Sequence, residues 1–353
     1  MLDIHVIFAH GIDRIPHCTA YIRLLQPLTH PANEGAFAVT HGCDYATAQV
    51  VIVERMWKSN IKMQQAEALV AQARHDGVCL IYTIDDNLLD LNTAVGAQRA
   101  FTAEELMVVR YLARAADGVI VSTVPLKQRL ARLNNNIHVV PNALDERLCV
   151  ADAAARPPAA DNGRKVIGYM GTVTHDSDFM MILQPLREQL RKYRDTVEFQ
   201  IIGGLGDMTL LQALDGLPVR VLDVSANSHY LDFMPWMAKN LQWDLAIAPL
   251  EDTQFSRCKS DIKALDYGIQ GIPGIFSRVP AYENTIRHLE TGWLAGNDVA
   301  SWQNAFDTLL NDGQLRRRLA LNVQDYVLST RTLRHCAPQW RKAVMDIYQG
   351  FAR

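Results

Sequence analysis

The sequence predicts an α/β protein built from two doubly wound, parallel-sheet domains, and three observations support this prediction. The chain has 353 residues, whereas domains commonly contain roughly 150 residues each. Short apolar, β-branched runs alternate with helical patterns, as in βαβ units, and an Ala- and Pro-rich stretch without apolar periodicity interrupts the alternation. We expect a first domain over residues 1–148, a linker over 149–164, a second domain over 165–328 and a C-terminal helix over 329–353.

Ten apolar runs have the length and composition of buried strands. Five precede the linker, IHVIFAH, AQVVIVE, VCLIYTID, GVIVST and IHVVP, and five follow it, KVIGYMG, VEFQIIGG, VRVLDV, DLAIAPL and IPGIFS. The first helix is expected to begin near His17. In the C-terminal segment, Leu333, Trp340, Val344 and Ile347 have the spacing of one apolar helix face. Because no strand follows, we expect this helix to pack on elements that precede it in the chain.

The composition excludes several classes of protein. Hydrophobic residues make up 49% of the chain and charged residues 21%, with a net charge of -3, which is typical of a globular protein and gives no basic surface for extensive nucleic-acid binding. No apolar run approaches the roughly 20 residues that cross a bilayer, and the first run lacks the basic flank of a signal peptide. The six cysteines form no C-x-x-C pair and no zinc-type cluster, so we expect a cytoplasmic protein without a structural metal.

The strongest functional pattern is the segment from 244 to 280, DLAIAPLEDTQFSRCKSDIKALDYGIQGIPGIFSRVP. It is typical of a strand, an exposed polar loop, a helix that opens at Ser260 and a second strand. Ser260 and Asp261 occupy the turn whose backbone N–H groups lack partners, and such a turn binds anions. Arg257 and Lys259 stand directly before this turn, so the arrangement suits a diphosphate. A capped surface helix with ordinary charge pairs is the alternative.

Lys259, Lys263 and Asp266 follow i, i+4, i+7 spacing. If the helical turn extends back to Lys259, the three side chains share one face. The cations would then hold phosphate oxygens, while the carboxylate accepts hydrogen bonds from a ribose diol. Ligands of doubly wound sheets bind outside the carboxyl ends of the strands, so we expect this ligand in a cleft between the two domains.

The same segment resembles the C-terminal signature of the group 1 glycosyltransferases, a retaining family with nucleotide-sugar donors. Asp266 stands at the second glutamate of the family's E-x7-E pattern, and Cys258 stands at the first. The segment is more similar to F-x-x-x-K-S-x-I-K-x-L-E-Y, a pattern of the sub-branch from bacterial surface-polysaccharide assembly. VIGYMGTVTHDSDF, VVPNALD and IYTIDDNLLDL resemble further parts of these enzymes. The resemblance covers nearly the whole chain and implies the GT-B fold, with two Rossmann-like domains and an interdomain cleft. It also implies that the C-terminal helix crosses back to the first domain.

The resemblance also implies which residues bind the donor. Gly11, after the first strand, would let the backbone approach the diphosphate, with a plain turn glycine as the alternative. His175 is either a substrate contact or a structural histidine. Arg257 and Lys259 are expected to stabilise the leaving diphosphate and are counted as catalytic. The full implied donor set is Gly11, Gly171, Thr172, His175, Val224, Arg257, Lys259, Ser260, Asp261 and Asp266.

The acceptor side is assigned to Asp85 and Asp86, which end a strand of the first domain, and to Arg23 in the first helix. One aspartate is expected beside the acceptor hydroxyl and the other at the cap of the following turn, and Asp86 is counted as catalytic. The pair lacks the D-x-D spacing of metal-dependent glycosyltransferases, so we expect no metal ligands. A solvated or ion-paired Arg23 is an equal alternative to an acceptor contact.

The implied reaction is transfer of a sugar from a nucleotide diphosphate sugar to a glycan hydroxyl, without a further cofactor, in O-antigen or capsule synthesis. The acceptor is either free or lipid-linked. The basic segment at 125–133, PLKQRLARL, is interpreted as a solvated helix face. Contact with the inner face of the cytoplasmic membrane, or with a synthesis complex, is the alternative. Two other functions stay open. The changes at Cys258 and Asp266 allow a scaffold or carbohydrate-binding domain without turnover, and the fold also allows a nucleotide-sugar 2-epimerase.

Overall fold

The computed structural model describes residues 1–90, 101–149 and 164–353. The first sheet has six parallel strands in the order β2-β1-β3-β4-β5-β6. These strands are β1 (Leu2–Ile7), β2 (Phe37–Gly42), β3 (Val50–Glu54), β4 (Cys79–Ile84), β5 (Gly118–Val121) and β6 (Ile137–Val139). The inner strands β3, β4 and β5 are buried along their whole length, because helices cover both faces of a parallel sheet.

The second sheet repeats this architecture, with six parallel strands in the order β12-β11-β10-β7-β8-β9. Its strands are β7 (Lys165–Gly171), β8 (Val197–Gly203), β9 (Val219–Leu222), β10 (Leu245–Ala248), β11 (Gly274–Ser277) and β12 (Trp293–Ala295). Two parallel, doubly wound sheets confirm the predicted fold class.

Helices connect the strands and cover the sheets. In the first half they are α1 (Cys18–Ala20), α2 (Gln26–Thr29), α3 (Met63–His75), α4 (Ala103–Ala115), α5 (Val124–Leu130) and α6 (Glu146–Cys149), with a π-helix, Tyr21–Leu25, between α1 and α2. In the second half they are α7 (Asp176–Lys192), α8 (Met208–Gln212), α9 (Tyr230–Asn240), α10 (Ile262–Ile269), α11 (Pro280–Glu283), α12 (Val299–Asn311), α13 (Gly313–Thr330) and α14 (Leu333–Phe351).

The apolar pattern does not predict β2 and β12, which are both edge strands. β2 is half exposed along most of its length, and β12 has only three residues. An edge strand has one hydrogen-bonded neighbour and needs no long apolar run to be held in place. Residues 150–163 of the predicted linker lie outside the described part of the chain.

The last helix, α14, packs against the first sheet. Trp340, Val344 and Ile347 are buried in a cluster with residues of β1, β3 and β4. A Cβ atom at Gly118 of β5 would lie 2.6 Å from the side chain of Ile347, so the absence of a side chain at Gly118 permits this contact. The C-terminal helix therefore covers one face of the sheet in the first domain.

The strand orders determine where a ligand can bind. The direction of winding reverses between β1 and β3 in the first sheet and between β7 and β10 in the second. In doubly wound folds, ligands bind at the carboxyl ends of the strands beside such a switch point. The residues that directly follow these four strands are therefore the first candidates for a site.

Every helix among the described residues is too short or too polar to cross a membrane.

Candidate active site at the interface of the two domains

The loop that follows β10 docks on the first domain. Thr123 Oγ1 donates a hydrogen bond of 2.8 Å to the carbonyl oxygen of Cys258, and the buried Cys258 side chain packs in the core of the first domain. Asn87 Nδ2 donates to the carbonyl oxygen of Gln254 at 3.4 Å. These contacts carry the residues after Cys258 to the carboxyl end of the first sheet. Cys258 is thus a packing residue that joins the two domains.

Lys259 reaches across this interface. Its Nζ lies 4.0 Å from Asp86 Oδ1 and 4.7 Å from the centre of the Phe255 ring. The predicted start of the helix at Ser260 is wrong by two residues, because α10 begins at Ile262 after the cap residue Asp261. The condition that the helical turn extends back to Lys259 is not met, since Lys259 has an extended backbone. Lys259 therefore approaches the site from the loop.

Lys263, in the first turn of α10, lies beside Lys259. Its Nζ is 5.3 Å from the centre of the Tyr169 ring. Burial and the charge of Lys259 lower the pKa of Lys263 to about 8. The two half-buried ammonium groups repel each other, and an anion bound between them would offset this repulsion. The pair therefore indicates an anion-binding site.

His175 follows β7 and faces the two lysines. Its Nδ1 lies 2.6 Å from Asp178 Oδ2, and Asp178 Oδ1 accepts a hydrogen bond from the Glu251 amide at 2.7 Å. Burial and Lys263 lower the pKa of His175 to about 4, so the ring is neutral at neutral pH. Because Nδ1 then donates to the carboxylate, Nε2 is an acceptor. The Asp178 contacts hold the ring in place between β7 and the β10 loop.

Asp85 and Asp86 follow β4 and share one cation. Arg55 Nε donates to Asp85 Oδ1 at 2.6 Å, and Arg55 Nη2 donates to Asp86 Oδ2 at 3.0 Å. Burial opposes ionisation of Asp86, but Lys259 and Arg55 outweigh it and hold the pKa of this carboxyl below its usual value. Both aspartates therefore lie at the interface as expected, while their carboxylates are held by Arg55, which the sequence analysis did not identify.

Asp266 lies one turn after Lys263 in α10 and is buried. Burial raises the pKa of its carboxyl to about 7, against the opposing charge of Lys263. The hydroxyl of Tyr230, whose ionisation Asp266 also opposes, is buried without a hydrogen-bond partner among the described residues. A polar ligand that donates to Asp266 would stabilise the ionised carboxylate.

The side chains of Ser260 and Asp261 are engaged within the protein. Ser260 Oγ accepts a 2.8 Å hydrogen bond from Asn142 Nδ2. Asp261 forms a two-point ion pair with Arg331, with Nη1–Oδ2 and Nη2–Oδ1 distances of 2.6 and 2.9 Å. These contacts engage the two side chains, and the expectation that the backbone N–H groups of this turn bind an anion stays a prediction.

Arg257 forms a surface ion pair in this structure, and its expected role in the donor site stays a prediction. Its guanidinium is half exposed and pairs with Asp252, with Nε–Oδ1 and Nη2–Oδ2 distances of 2.6 and 2.9 Å. The sequence places Arg257 two residues from Lys259, but the short 3-10 helix Ser256–Cys258 turns the two side chains apart. The arginine lies in a surface ion pair, so it has no contact with the Lys259 and Asp86 cluster.

Arg23 is neither solvated nor bound to a carboxylate. It lies in the π-helix with 1% exposure, and its Nη1 donates to the carbonyl oxygen of Val140 at 2.6 Å and to Asn142 Oδ1 at 2.8 Å. The guanidinium carbon lies 4.8 Å from the centre of the Trp340 ring. Burial lowers its pKa to about 10. Arg23 therefore joins the first helix to α14 and to the segment that connects the domains. Its Nε and Nη2 have no hydrogen-bond partner among the described residues, and an acceptor contact stays a prediction.

The remaining predicted donor residues lie in loops at strand ends. Gly11 is half exposed after β1, and a Cβ atom there would find its nearest neighbour at 3.3 Å. A Cβ atom at Gly171 would collide with the Tyr169 hydroxyl, so packing alone accounts for this glycine. Thr172 is exposed and hydrogen-bonded to Thr174 at 2.9 Å. Val224 is half buried beside the turn that follows β9. No contact tests their roles, which stay predictions.

Three side chains, His30, Asp145 and Glu146, have potential metal-ligand atoms that lie within 4.8 Å of one another. Asp145 is bound by Arg147 at 2.6 Å and Glu146 by His30 at 3.2 Å. These internal ion pairs account for the cluster, and we assign no metal to it.

Comparison with known proteins identifies the architecture. No protein-family profile and no curated protein sequence matches this chain. Sucrose-phosphate synthase from Thermosynechococcus elongatus has a TM-score of 0.71 at 15% identity, covering 99% of this chain and 100% of that chain. Anabaena HepE, in complex with UDP and glucose, has a TM-score of 0.66 at 14% identity, covering 98% of this chain and 100% of that chain.

A UDP-forming α,α-trehalose-phosphate synthase from Burkholderia xenovorans has a TM-score of 0.57 at 12% identity, covering 86% of this chain and 74% of that chain. At these identities the likeness concerns the fold. With its two six-stranded parallel sheets, this chain has the GT-B fold of these solved structures.

Proposed function

We propose that this protein is a retaining glycosyltransferase that moves a sugar from a nucleotide diphosphate sugar to a hydroxyl of a glycan acceptor. The observation that carries the proposal is the pair Lys259 and Lys263, whose neighbouring charges at the carboxyl end of the second sheet face Asp86 of the first sheet. The GT-B likeness to a UDP-forming synthase and to a protein crystallised with UDP-glucose supports the same substrate class.

In the proposed reaction, the acceptor oxygen bonds to the anomeric carbon as the bond from that carbon to the diphosphate breaks. The acceptor proton passes to an oxygen of the leaving diphosphate, so no enzymic base is required. Lys259 and Lys263 stabilise the charge that develops on this group. Asp86 orients the acceptor hydroxyl, and Asp266 accepts hydrogen bonds from the ribose. Neutral His175, with Nε2 as an acceptor, binds a hydroxyl of either sugar.

The resemblance to surface-polysaccharide enzymes extends this proposal to O-antigen or capsule synthesis, with a hexosyl donor and an acceptor that is free or lipid-linked. A lipid-linked acceptor would bring the protein to the inner face of the cytoplasmic membrane or to a synthesis complex. Binding to vesicles that contain anionic lipid, compared with neutral vesicles, tests this extension separately from the reaction.

A thermal-shift screen of nucleoside diphosphates and nucleotide sugars tests the substrate class directly. A ligand at 100 times its dissociation constant stabilises the folded protein by about 2.7 kcal/mol, which is easily measured. We expect one base to give the largest shift and its nucleotide sugar to be consumed with release of the nucleoside diphosphate. A protein that binds none of these ligands would not be a transferase of this class.

Metal independence is the second part of this test. We propose that no cofactor or metal is needed, because Arg55 already holds the Asp85 and Asp86 carboxylates and lysines lie where the diphosphate charge would develop. Turnover is therefore expected to persist in excess EDTA. Loss of turnover on chelation, with recovery on addition of Mg²⁺ or Mn²⁺, would assign the aspartates to a metal instead.

Binding of the donor should be strongest between about pH 7 and pH 8. Above the Lys263 pKa of about 8 the ammonium loses its proton, and below the Asp266 pKa of about 7 the carboxylate becomes neutral, so affinity falls on both sides. A nucleotide sugar is the suitable titrant, because its diphosphate is esterified at both ends and keeps its charge over this range. Calorimetry from pH 6 to pH 9 measures the profile. Lys263→Gln should remove the alkaline decline and Asp266→Asn the acid decline, and a flat wild-type profile would contradict both assignments.

A further inference from the structure

Arg55 directly follows β3, at the switch point of the first sheet, and it makes the closest contacts to the two aspartates. Its Nε donates to Asp85 and its Nη2 to Asp86, at 2.6 and 3.0 Å, while its side chain is 22% exposed. One planar guanidinium thus binds two carboxylates from consecutive residues of another strand. A lysine has no comparable fork and would bind one of them at a time.

The backbone around Arg55 is held in an unfavourable conformation. Arg55 has a φ of 49° and Trp57 has a φ of 33°, and non-glycine residues rarely adopt this left-handed region because of its conformational strain. Hydrogen bonds enforce this turn, with Arg55 N donating to the Thr83 carbonyl oxygen and His10 N to the Trp57 carbonyl oxygen, both at 2.9 Å. The buried Glu54 carboxylate also accepts from Ala9 N at 2.7 Å. Segment 54–57 therefore ties the end of β1 to the end of β4 and aims Arg55 at the aspartates.

The charges across the domain interface show what Arg55 contributes. Asp85 and Asp86 carry two negative charges, and Lys259 and Lys263 carry two positive charges, so these four groups are balanced without Arg55. The carboxyl groups of Glu54, Asp178 and Asp266 also lie close to these cations, so Arg55 supplies one positive charge to a site that is rich in carboxyl groups. Asp86 faces Arg55, Lys259 and His175, and His175 is neutral. Lys259, at 4.0 Å, already lowers the pKa of Asp86 more than any other single charge does, and without Arg55 it would be the cation left to hold this carboxylate.

We propose that Arg55 is a positioning residue, which holds Asp86 against the first domain and offsets the charge of the aspartate pair, so that Lys259 stays available for an anionic ligand such as the diphosphate of a nucleotide sugar. This inference rests on the function proposed above. It assigns Arg55 no contact with the reacting atoms, since its guanidinium acts on the site through Asp86.

A double-mutant cycle tests the inference by calorimetry, with UDP and inorganic pyrophosphate as probes. Arg55→Gln should weaken binding of both probes about tenfold, because one positive charge close to the anion is lost. Arg55→Gln/Asp86→Asn has the same net charge as the wild type in this cluster, and we expect it to recover most of that affinity. Arg55→Lys keeps the charge without the fork, so it should bind UDP nearly as well as the wild type and lower turnover with the donor found in the screen by about 10²-fold through misplacement of Asp86.

The matched control is Arg129→Gln. Arg129 forms a two-point ion pair with Asp90 in the same domain, at 2.5 and 2.6 Å, and is 45% exposed. Its loss should leave UDP binding unchanged. If Arg55→Gln fails to fold, Asp86→Asn serves as the second variant. This variant lacks the negative charge that competes for Lys259, so we expect it to bind pyrophosphate at least as tightly as the wild type does, and weaker binding would contradict the inference.

The outcomes separate this inference from the proposed function. Unchanged UDP affinity in Arg55→Gln, or a loss that the added Asp86→Asn change does not recover, would overturn the role of Arg55 and leave the transferase proposal standing. If the variants change pyrophosphate affinity as expected while the protein binds no nucleotide sugar, the role of Arg55 would be supported and the transferase proposal overturned. A wild-type protein that binds neither probe would overturn both.

Discussion

Replacement of Lys259 by alanine is expected to lower turnover by about 10²–10³-fold, the usual cost of one preorganised group that stabilises a developing negative charge. The side chain is 22% exposed and lies 4.0 Å from Asp86, in a loop outside α10. Its removal should therefore leave the cores intact and the thermal unfolding temperature close to that of the wild type. Steady-state release of the nucleoside diphosphate, measured with the donor found in the screen, gives the rate.

Arg257→Ala is the matched control for this experiment. The two cations are two residues apart and have the same sign, but Arg257 is paired with Asp252 at the surface. We expect the arginine variant to retain most of its activity, whereas the sequence alone predicts that both substitutions lower activity. Equal losses in the two variants would mean that the loop rearranges when donor binds, and full activity in Lys259→Ala would remove the lysine from the diphosphate site.

Asp266→Asn is expected to weaken donor binding by about 1–3 kcal/mol, the scale of a hydrogen bond to a charged group. The buried carboxyl has a pKa of about 7, so at pH 7.5 its ionised form predominates and can accept from a ribose diol. Calorimetric titration at this pH with the nucleoside diphosphate measures the loss, and near-ultraviolet circular dichroism checks that the variant is folded.

Asp266→Glu separates the ribose contact from a structural role. Glutamate stands at this position in the family pattern that the segment resembles, so we expect the glutamate variant to bind the nucleotide. If Asp266 instead served only to pair with Lys263 or a neighbouring helix, the asparagine variant would be less stable while its folded fraction bound nucleotide as tightly as the wild type. That result would contradict the assignment of Asp266 to the ribose.

Much of the fold follows from local pattern. All ten apolar runs of the sequence analysis contain a strand of the structure, because strands buried on both faces must be apolar throughout. The same reasoning misses β2 and β12, whose edge positions need little apolar sequence. At the start of α10 the pattern is wrong by two residues, since Lys259 has extended backbone and Asp261 is the cap.

The site residues differ in how strongly the sequence indicates them. Lys259, His175, Asp86 and Asp266 are recognisable from their motifs, and the structure brings the first three together at the domain interface. Arg55 carries a weaker signal, a charged residue directly after a buried strand, which becomes informative only once the strand order places it at a switch point.

By itself, the sequence determined the two parallel-sheet domains, the returning helix and the segments that line the interface between them, because apolar periodicity and strand-end loops are local properties of a chain. Only the tertiary structure decided which charges meet. It buried Arg23 against Trp340, turned Arg257 to the surface and placed Arg55 between two aspartates. Ion pairs and pKa values depend on distance and burial across elements far apart in the chain, and no spacing within one segment encodes them.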